Sequence, residues 1–282
     1  MSLAHVSDTA RWMAFARSIE SKRPDALFHD PYSQELAGDV GESLAREIGS
    51  VDLVTHGIAI RTAMLDRLVQ EMVVKHGVDL VLNLGAGLDT RPWRLRLPEQ
   101  LWWLDVDLRE LLIHKARILA TRRASCHYQQ FPADILQSSH RAAILEACGE
   151  ARRILVVTEG LLVYMHPAQV EALAKDLHGR VACRWWLTDL VGPRALQRLQ
   201  QVWAPKLRAV EFHFGPPDSA QYFGDLGWRE DAFYSSNEEA RRVKRAPKQG
   251  GLAWLFTKLG SSGFREEIRR LAGVAVLARE EV

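Results

Sequence analysis

A glycine-rich turn after an apolar run is the part of the chain best suited to hold a ligand. Residues 78–84 read Val-Asp-Leu-Val-Leu-Asn-Leu, and Gly85-Ala86-Gly87 follows directly. Glycine allows a sharp backbone turn and the close approach of a ligand, and cofactors bind at the carboxyl edge of a parallel sheet. We therefore expect Gly85 and Gly87 to line a cofactor site, although such a turn can also be purely structural.

An acidic residue at a suitable distance strengthens this interpretation. Asp107 comes 20 residues after Gly87, at the end of the next apolar run. A carboxylate there can accept hydrogen bonds from both hydroxyls of a ribose, which indicates an adenosine cofactor. A dinucleotide site needs a third glycine where this chain has Thr90, followed by Arg91. The pattern therefore favours S-adenosyl-L-methionine over a nicotinamide dinucleotide.

Two further acids follow later strands of the predicted sheet. Asp134 lies just beyond the third strand, where its carboxylate could accept the adenine amino group and the N–H of Ile135 could meet a ring nitrogen. Glu159 follows the fourth strand at the same edge of the sheet. Each acid could instead cap the helix that comes after it.

The hydrophobic pattern predicts the sheet that must bring these side chains together. From residue 78 onward, short apolar runs alternate with mixed segments long enough for crossover helices, which is typical of a mostly parallel sheet. The earlier residues show helical spacing and no convincing strand. We expect an N-terminal helical cap (1–77) and a doubly wound α/β domain (78–282) with a C-terminal insert at about 236–272, the two parts acting as one unit. The predicted strands are 79–84, 101–106, 127–131, 154–158, 182–188, 228–234 and 273–278, and five tryptophans in them are expected to pack in the core.

Composition excludes several classes of protein. The chain has 282 residues, 47% of them hydrophobic, and 37 Lys and Arg against 35 Asp and Glu give a net charge of +2. These values exclude a disordered chain and argue against a nucleic-acid-binding protein. The three cysteines lie far apart, so neither a disulfide framework nor a metal site is expected. No apolar run approaches the ~20 residues of a membrane helix, and a cytoplasmic location without membrane or nucleic-acid partners is the expectation.

Several motifs, in the right order, resemble a known family. The segments 83–92, 105–107, 133–135 and 159–165 resemble the leucine carboxyl methyltransferase family, and within it the bacterial polyketide-synthesis (tetracenomycin-type) O-methyltransferase branch. Segments 23–32, 60–62 and 222–228 also match that branch. The resemblance covers residues from about 14 to about 235.

The resemblance implies a class I S-adenosyl-L-methionine-dependent methyltransferase fold, an α/β structure with a Rossmann-like sheet of seven mostly parallel strands and an antiparallel last strand. By the same resemblance, Arg61 would pair with the methionine carboxylate and Glu159 would lie near the methionine end. Gly85 and Gly87 would line the cofactor turn, Asp107 would hold the ribose, and Asp134 and Ile135 would contact adenine.

The chain also departs from the family pattern. Proline is often found near the position of Arg109 in the family. An acid is common in the family at the position of Asp105, so either Asp105 or Asp107 could hold the ribose. The spacing favours Asp107. The eukaryotic members methylate the C-terminal leucine of a protein phosphatase and have cysteine at the position of Gly160. Glycine here weakens the case for that protein substrate.

The nature of the acceptor depends on whether a base is needed. A carboxylate, with a pKa near ~4, is ionised at neutral pH, whereas a phenol, with a pKa near ~10, benefits from a general base. No catalytic His or Cys motif is evident; four histidines (29, 56, 166 and 213) are conceivable bases but are expected to be structural or exposed. Tyr164, after the fourth strand, is a candidate for contact with the acceptor or else a buried ring.

These observations predict O-methylation of a small-molecule carboxylic acid. The alternatives are a protein C-terminal carboxyl methyltransferase, a catalytically silent cofactor-binding protein of the same fold and, more distantly, a nicotinamide oxidoreductase. The sequence does not identify a catalytic residue, the acceptor or the oligomeric state.

Overall fold

The computed structural model describes residues 3–48, 51–204, 210–246 and 261–280. Three helices precede the first strand: α1 (Leu3–Ser21), α2 (Ser33–Ile48) and α3 (Val51–His76). The third helix ends where Gly77 adopts a φ of +57°, a conformation that favours glycine and often terminates helices.

Seven strands form one sheet with the order β3-β2-β1-β4-β5-β7-β6. The first five strands pair in parallel, and β7 is antiparallel to both of its neighbours, β5 and β6. The α/β class, the seven strands and the antiparallel last strand are therefore confirmed. The strands are β1 (Leu80–Leu84), β2 (Trp102–Asp107), β3 (His127–Pro132), β4 (Ile154–Thr158), β5 (Cys183–Val191), β6 (Trp228–Ser235) and β7 (Ala272–Arg279).

Helices connect the strands and cover the two faces of the sheet. A 3₁₀ turn at Leu162–Tyr164 follows β4, and a π-helix at Leu199–Trp203 follows α8. Residues 247–260 of the expected insert lie outside the described ranges. The remaining helices are α4 (Arg91–Arg94), α5 (Arg109–Leu119), α6 (Ser138–Ala147), α7 (Pro167–Gly179), α8 (Pro193–Arg198), α9 (Ser219–Gly224), α10 (Ser236–Arg242) and α11 (Ser262–Arg269).

The central strands are buried on both faces, which is why they read as continuous apolar runs in the sequence. Every residue of β1 and of β4 is buried. One face packs against α6 and α7, and the other packs against an apolar side of α3 that includes Met64, Leu65 and Leu68. This packing holds α3 against the sheet and carries Arg61 to its carboxyl edge.

The expectation that the strand tryptophans lie in the core is only partly confirmed. Trp103, Trp186 and Trp228 are fully buried, but Trp185 is only partly buried and Trp102 is 43% exposed. It begins β2 and stacks on His127, at the start of the neighbouring strand, with 4.7 Å between ring centroids. Within the described ranges, no helix combines the length and the apolar character that crossing a bilayer requires.

Candidate functional site

The side chains predicted to bind a ligand lie in a row along the carboxyl edge of the sheet. The strand order places Asp134 after β3, Asp107 at the end of β2, the glycine turn after β1 and Glu159 after β4. A cavity of about 240 Å³ opens there. All the residues predicted for the site line it, namely Arg61, Gly85, Gly87, Asp107, Asp134, Ile135, Glu159 and Tyr164.

The turn after β1 has the backbone shape that its glycines suggest. Gly85 and Gly87 have φ angles of +65° and +50°, in the left-handed region that side chains disfavour. The N–H of Ala86 donates to the carbonyl of Val106 at 3.1 Å, and the N–H of Gly87 donates to Oδ2 of Asp107 at 2.6 Å. Two hydrogen bonds therefore join the turn to the end of β2.

Asp107 is oriented by the backbone on both sides. Besides the bond from Gly87, its Oδ1 accepts a hydrogen bond of 2.6 Å from the N–H of Leu108. Burial raises the pKa of Asp107 above its ordinary value of 3.8, although these two N–H groups oppose the rise. A carboxylate held in this way keeps lone pairs for further donors.

Asp105 belongs to the interior of the protein. Its side chain is completely buried and does not line the cavity, so of the two candidate acids only Asp107 faces the cavity. The carboxylate of Asp105 accepts hydrogen bonds from Lys115 Nζ at 2.5 Å, Tyr128 Oη at 2.7 Å and Trp103 Nε1 at 2.8 Å.

The loop after β3 is shaped by Asp134. Its two carboxylate oxygens accept hydrogen bonds from Leu136 N at 3.0 Å and Gln137 Nε2 at 3.1 Å, and its own N–H donates to His140 Nδ1. Gln137, not Asp134, occupies the N-cap position of α6. Asp134 therefore holds the loop in place, and it also lines the cavity. The alternative interpretation, in which Asp134 caps the next helix, is wrong.

At the opposite end of the cavity, Arg61 lies between two carboxylates. Its Nε donates to Glu159 Oε1 and its Nη1 donates to Asp189 Oδ2, both at 3.0 Å. Burial alone would raise the pKa of Glu159, but the guanidinium groups of Arg91 and Arg61 lower it below its ordinary value. For Asp189, burial raises the pKa in spite of Arg61 and a hydrogen bond from Gly160 N–H.

A second arginine, Arg91, was not identified from the sequence. Its side chain is 1% exposed, and it donates to Asp66 at 2.8 Å and to both Asp89 and Glu159 at 2.7 Å. Arg94 also pairs with Asp66, at 2.7 Å through Nη2. The segment Asp89-Thr90-Arg91 belongs to the motif at 83–92 that carries the family resemblance, but no role for Arg91 was predicted from it.

A second cavity, of about 300 Å³, adjoins the first. Met13, Arg61, Gly160 and Tyr164 line both cavities. Much of the remaining wall of the second cavity is apolar or aromatic and includes Trp12, Ile58, Leu190, Trp203, Phe212 and Phe214.

Tyr164 is a partly buried ring at the junction of the two cavities. It stacks on Phe212 with 5.4 Å between ring centroids. Burial raises its pKa to about 12, so the phenol stays protonated at neutral pH. Among the described residues that line the two cavities, none is a histidine, lysine or cysteine.

Several proteins of similar sequence are named as S-adenosyl-L-methionine-dependent methyltransferases. A candidate S-adenosyl-L-methionine-dependent methyltransferase of Streptomyces coelicolor is 33% identical over 177 residues, which are 58% of this chain and 62% of that protein. Similarly named proteins of Streptomyces avermitilis and Mycobacterium marinum are 29% and 26% identical over 79% and 87% of this chain, and over 83% and 89% of their own lengths.

Two solved structures are similar to this chain over nearly its whole length. A DUF574 family protein from Streptomyces avermitilis superposes with a TM-score of 0.60 at 15% identity over 97% of both chains. A candidate methyltransferase from Thermobifida fusca superposes with a TM-score of 0.56 at 15% identity over 94% of both chains. These two show the class I methyltransferase fold.

Residues 10–178 match the leucine carboxyl methyltransferase family, and the chain therefore belongs to that family.

Proposed function

We propose that the chain transfers the methyl group of S-adenosyl-L-methionine to the carboxylate of a small-molecule acid and so forms a methyl ester. Family membership makes the chain an S-adenosyl-L-methionine-dependent methyltransferase. The observation that supports the finer proposal is the second, apolar cavity, which shares Arg61, Gly160 and Tyr164 with the first. An acceptor bound there would lie next to the methionine end of the cofactor.

The residues of the first cavity fit this cofactor. The left-handed turn at Gly85 and Gly87 leaves the backbone open to close approach, and Asp107 presents an oriented carboxylate for the ribose hydroxyls. Arg61 has five N–H donors and uses Nε and Nη1 for its two ion pairs, so donors remain for the methionine carboxylate. When bound, the cofactor supplies an activated methyl group on a sulfonium.

The second cavity suits an acceptor with a large apolar part. Its aromatic walls can bury a hydrocarbon or ring system and exclude water from the reacting groups. The resemblance to the polyketide-synthesis branch also supports a small molecule over a protein. Tyr164, which stays protonated, could donate a hydrogen bond to the acceptor carboxylate and orient it.

The chemistry of the lining residues supports a carboxylate acceptor. A carboxylate reaches the site already ionised, so the protein needs only to hold the nucleophile and the methyl group in line. The acidic groups nearest the acceptor cavity already accept hydrogen bonds from other groups of the protein. Glu159 binds two arginines, and Asp189 binds Arg61 and the N–H of Gly160.

A transfer assay with a deuterium-labelled methyl donor tests the proposal. The panel contains aromatic and aliphatic carboxylic acids, phenols and a peptide that ends in leucine, and the products are identified by mass spectrometry. We expect the carboxylic acids to give labelled products. Mild alkali should hydrolyse these products, because an ester is base-labile and an aryl ether is not. Arg61→Gln is the expected inactive variant, and Glu230→Gln, which alters the ion pair between β6 and Arg270, is the expected active one.

The other outcomes decide among the alternatives. Alkali-stable products from phenols would overturn the carboxylate assignment. Transfer to the peptide alone would establish a protein carboxyl methyltransferase. Cofactor binding without turnover across the panel would favour the catalytically silent protein.

A further inference from the structure

Arg61 forms part of the wall between the two cavities, and a different carboxylate binds it on each side. Glu159 lines the cofactor cavity, whereas Asp189, on β5, lines the acceptor cavity. No sequence motif marked Asp189 as a site residue. Its carboxylate nevertheless contacts the one side chain that the family resemblance places against the methionine carboxylate.

The two carboxylates together fix the plane of the guanidinium. Glu159 holds Nε and Asp189 holds Nη1, each at 3.0 Å. The remaining contact of the group, from Nη2 to Met13 Sδ at 3.9 Å, is a weak one because a thioether is a poor acceptor. Nη2 is therefore the nitrogen best able to bind a ligand carboxylate.

Glu159 cannot hold Arg61 equally well by itself. Its second oxygen, Oε2, accepts a hydrogen bond of 2.7 Å from Arg91, so its charge is shared between two guanidinium groups. Asp189 has no second arginine among its contacts in the described ranges. Its other oxygen accepts a 2.6 Å hydrogen bond from the N–H of Gly160, which fixes the carboxylate to the loop after β4.

Gly160 leaves the space that this arrangement needs. Its φ of +62° lies in the left-handed region. A Cβ built there would lie 3.3 Å from Arg61 Nη1 and 3.4 Å from Nη2, closer than most side-chain contacts. The loop thus binds Asp189 through its backbone while keeping clear of the guanidinium that Asp189 holds.

We propose that Asp189 is a positioning residue for cofactor binding, acting through Arg61 to present Nη2 to the methionine carboxylate. This inference rests on the proposed use of S-adenosyl-L-methionine. A positioning role differs from a purely structural one, because a substitution of Asp189 would then weaken the binding only of ligands that carry the amino-acid part of the cofactor.

Two ligands measured by isothermal titration calorimetry test this proposal. S-adenosylhomocysteine carries the amino-acid part, whereas 5′-methylthioadenosine lacks it. Asp189→Asn keeps an oxygen that can accept from Gly160 but loses the charge that holds Arg61. We expect S-adenosylhomocysteine to bind at least about tenfold more weakly to this variant, and 5′-methylthioadenosine to bind within about twofold of the unmodified protein.

Two controls separate positioning from general damage. Glu230, on β6, has a side chain that is 5% exposed and binds Arg270 at 2.6 Å, so Glu230→Gln removes a comparable charge and should leave the affinity for both ligands unchanged. In an Arg61→Gln background, Asp189→Asn should produce no further loss, because the group through which it acts is gone. Asp189→Glu keeps the charge and should recover part of the affinity for S-adenosylhomocysteine.

The results distinguish this proposal from the proposed function. Equal weakening of both ligands by Asp189→Asn, or full additivity with Arg61→Gln, would overturn the role of Asp189 while leaving cofactor binding intact. If Asp189→Asn does not fold, Asp189→Glu decides, and an unchanged ratio of the two affinities would refute the proposal. Failure of the unmodified protein to bind S-adenosylhomocysteine would overturn the proposed function itself.

Discussion

The N–H of Gly87 donates a hydrogen bond of 2.6 Å to Oδ2 of Asp107 and so ties the turn after β1 to the end of β2. Gly87 supplies backbone that a ligand can approach closely, and Asp107 supplies a carboxylate that lines the same cavity. Asp105, two positions earlier, has the same side chain but is enclosed by Lys115, Tyr128 and Trp103. The two acids should therefore respond to substitution in opposite ways.

Asp107→Asn should weaken S-adenosylhomocysteine binding by tenfold or more, since hydrogen bonds to a charged group contribute about 1.5–3 kcal/mol. It also replaces one of the two oxygens that accept from Gly87 and Leu108, so some loss of stability accompanies the loss of affinity. Asp105→Asn should lower the free energy of unfolding by about 3–5 kcal/mol, because it breaks the buried pair with Lys115, with cofactor affinity unchanged. Calorimetric titration and chemical unfolding measure the two effects. If Asp105→Asn selectively weakened cofactor binding instead, the assignment of the two acids would be wrong.

Cofactor affinity should fall in mild acid. Burial raises the pKa of Asp107 above 3.8, so the carboxylate begins to take up a proton at a higher pH than an exposed aspartate. In the proposed role of Asp107 the ionised form accepts hydrogen bonds from the ribose hydroxyls, and affinity is therefore expected to decrease as the pH falls through this raised pKa. Titrations with S-adenosylhomocysteine between about pH 4 and 7 measure the effect. Asp107→Asn should flatten the profile, and an unchanged profile would assign the titration to another group.

Gly85→Ala should lower the free energy of unfolding by about 1–3 kcal/mol, the range for a side chain forced into a left-handed conformation. The new Cβ would also lie 3.0 Å from Leu161 Cδ1. Gly263→Ala is the matched control, because that glycine lies in α11 with nothing within 4 Å of a built Cβ. The control should be neutral or slightly stabilising. Equal stability of the two variants in denaturant titrations would contradict the strain argument.

Arg91→Met should be among the most damaging substitutions, because it leaves Asp66, Asp89 and Glu159 without their shared buried partner. Removing one member of a buried ion pair costs about 3–5 kcal/mol. Arg46 also forms an ion pair, with Glu42, but its side chain is 77% exposed. Arg46→Met should change the free energy of unfolding by no more than about 0.5 kcal/mol. Comparable losses for both variants would show that the buried network contributes little.

Much of the sheet and one half of the cavity could be predicted because the relevant signals are local. Continuous apolar runs mark β1 and β4, which are buried on both faces. The predicted third strand ended one residue early, and the fifth ended three residues early. The glycine turn and Asp107 are linked by a spacing that the strand–turn–strand arrangement imposes.

The other half of the cavity depends on contacts between distant segments. Arg61 meets Glu159 and Asp189 across 98 and 128 residues of sequence, and no periodicity encodes such a meeting. Only the family resemblance pointed to Arg61. Arg91 stood beside the glycine turn, but its three carboxylate partners become visible only when α3, the turn and the end of β4 come together.

The ion pairs of Arg91 have a consequence for the entropy of ligand binding. All three form within the protein, so Asp89 and Glu159 are immobilised when the chain folds and not when a ligand arrives. Ordering a flexible side chain during association costs about 0.5–1.5 kcal/mol. At this edge of the sheet that cost falls on folding, and a ligand meets side chains whose conformational freedom has already been lost.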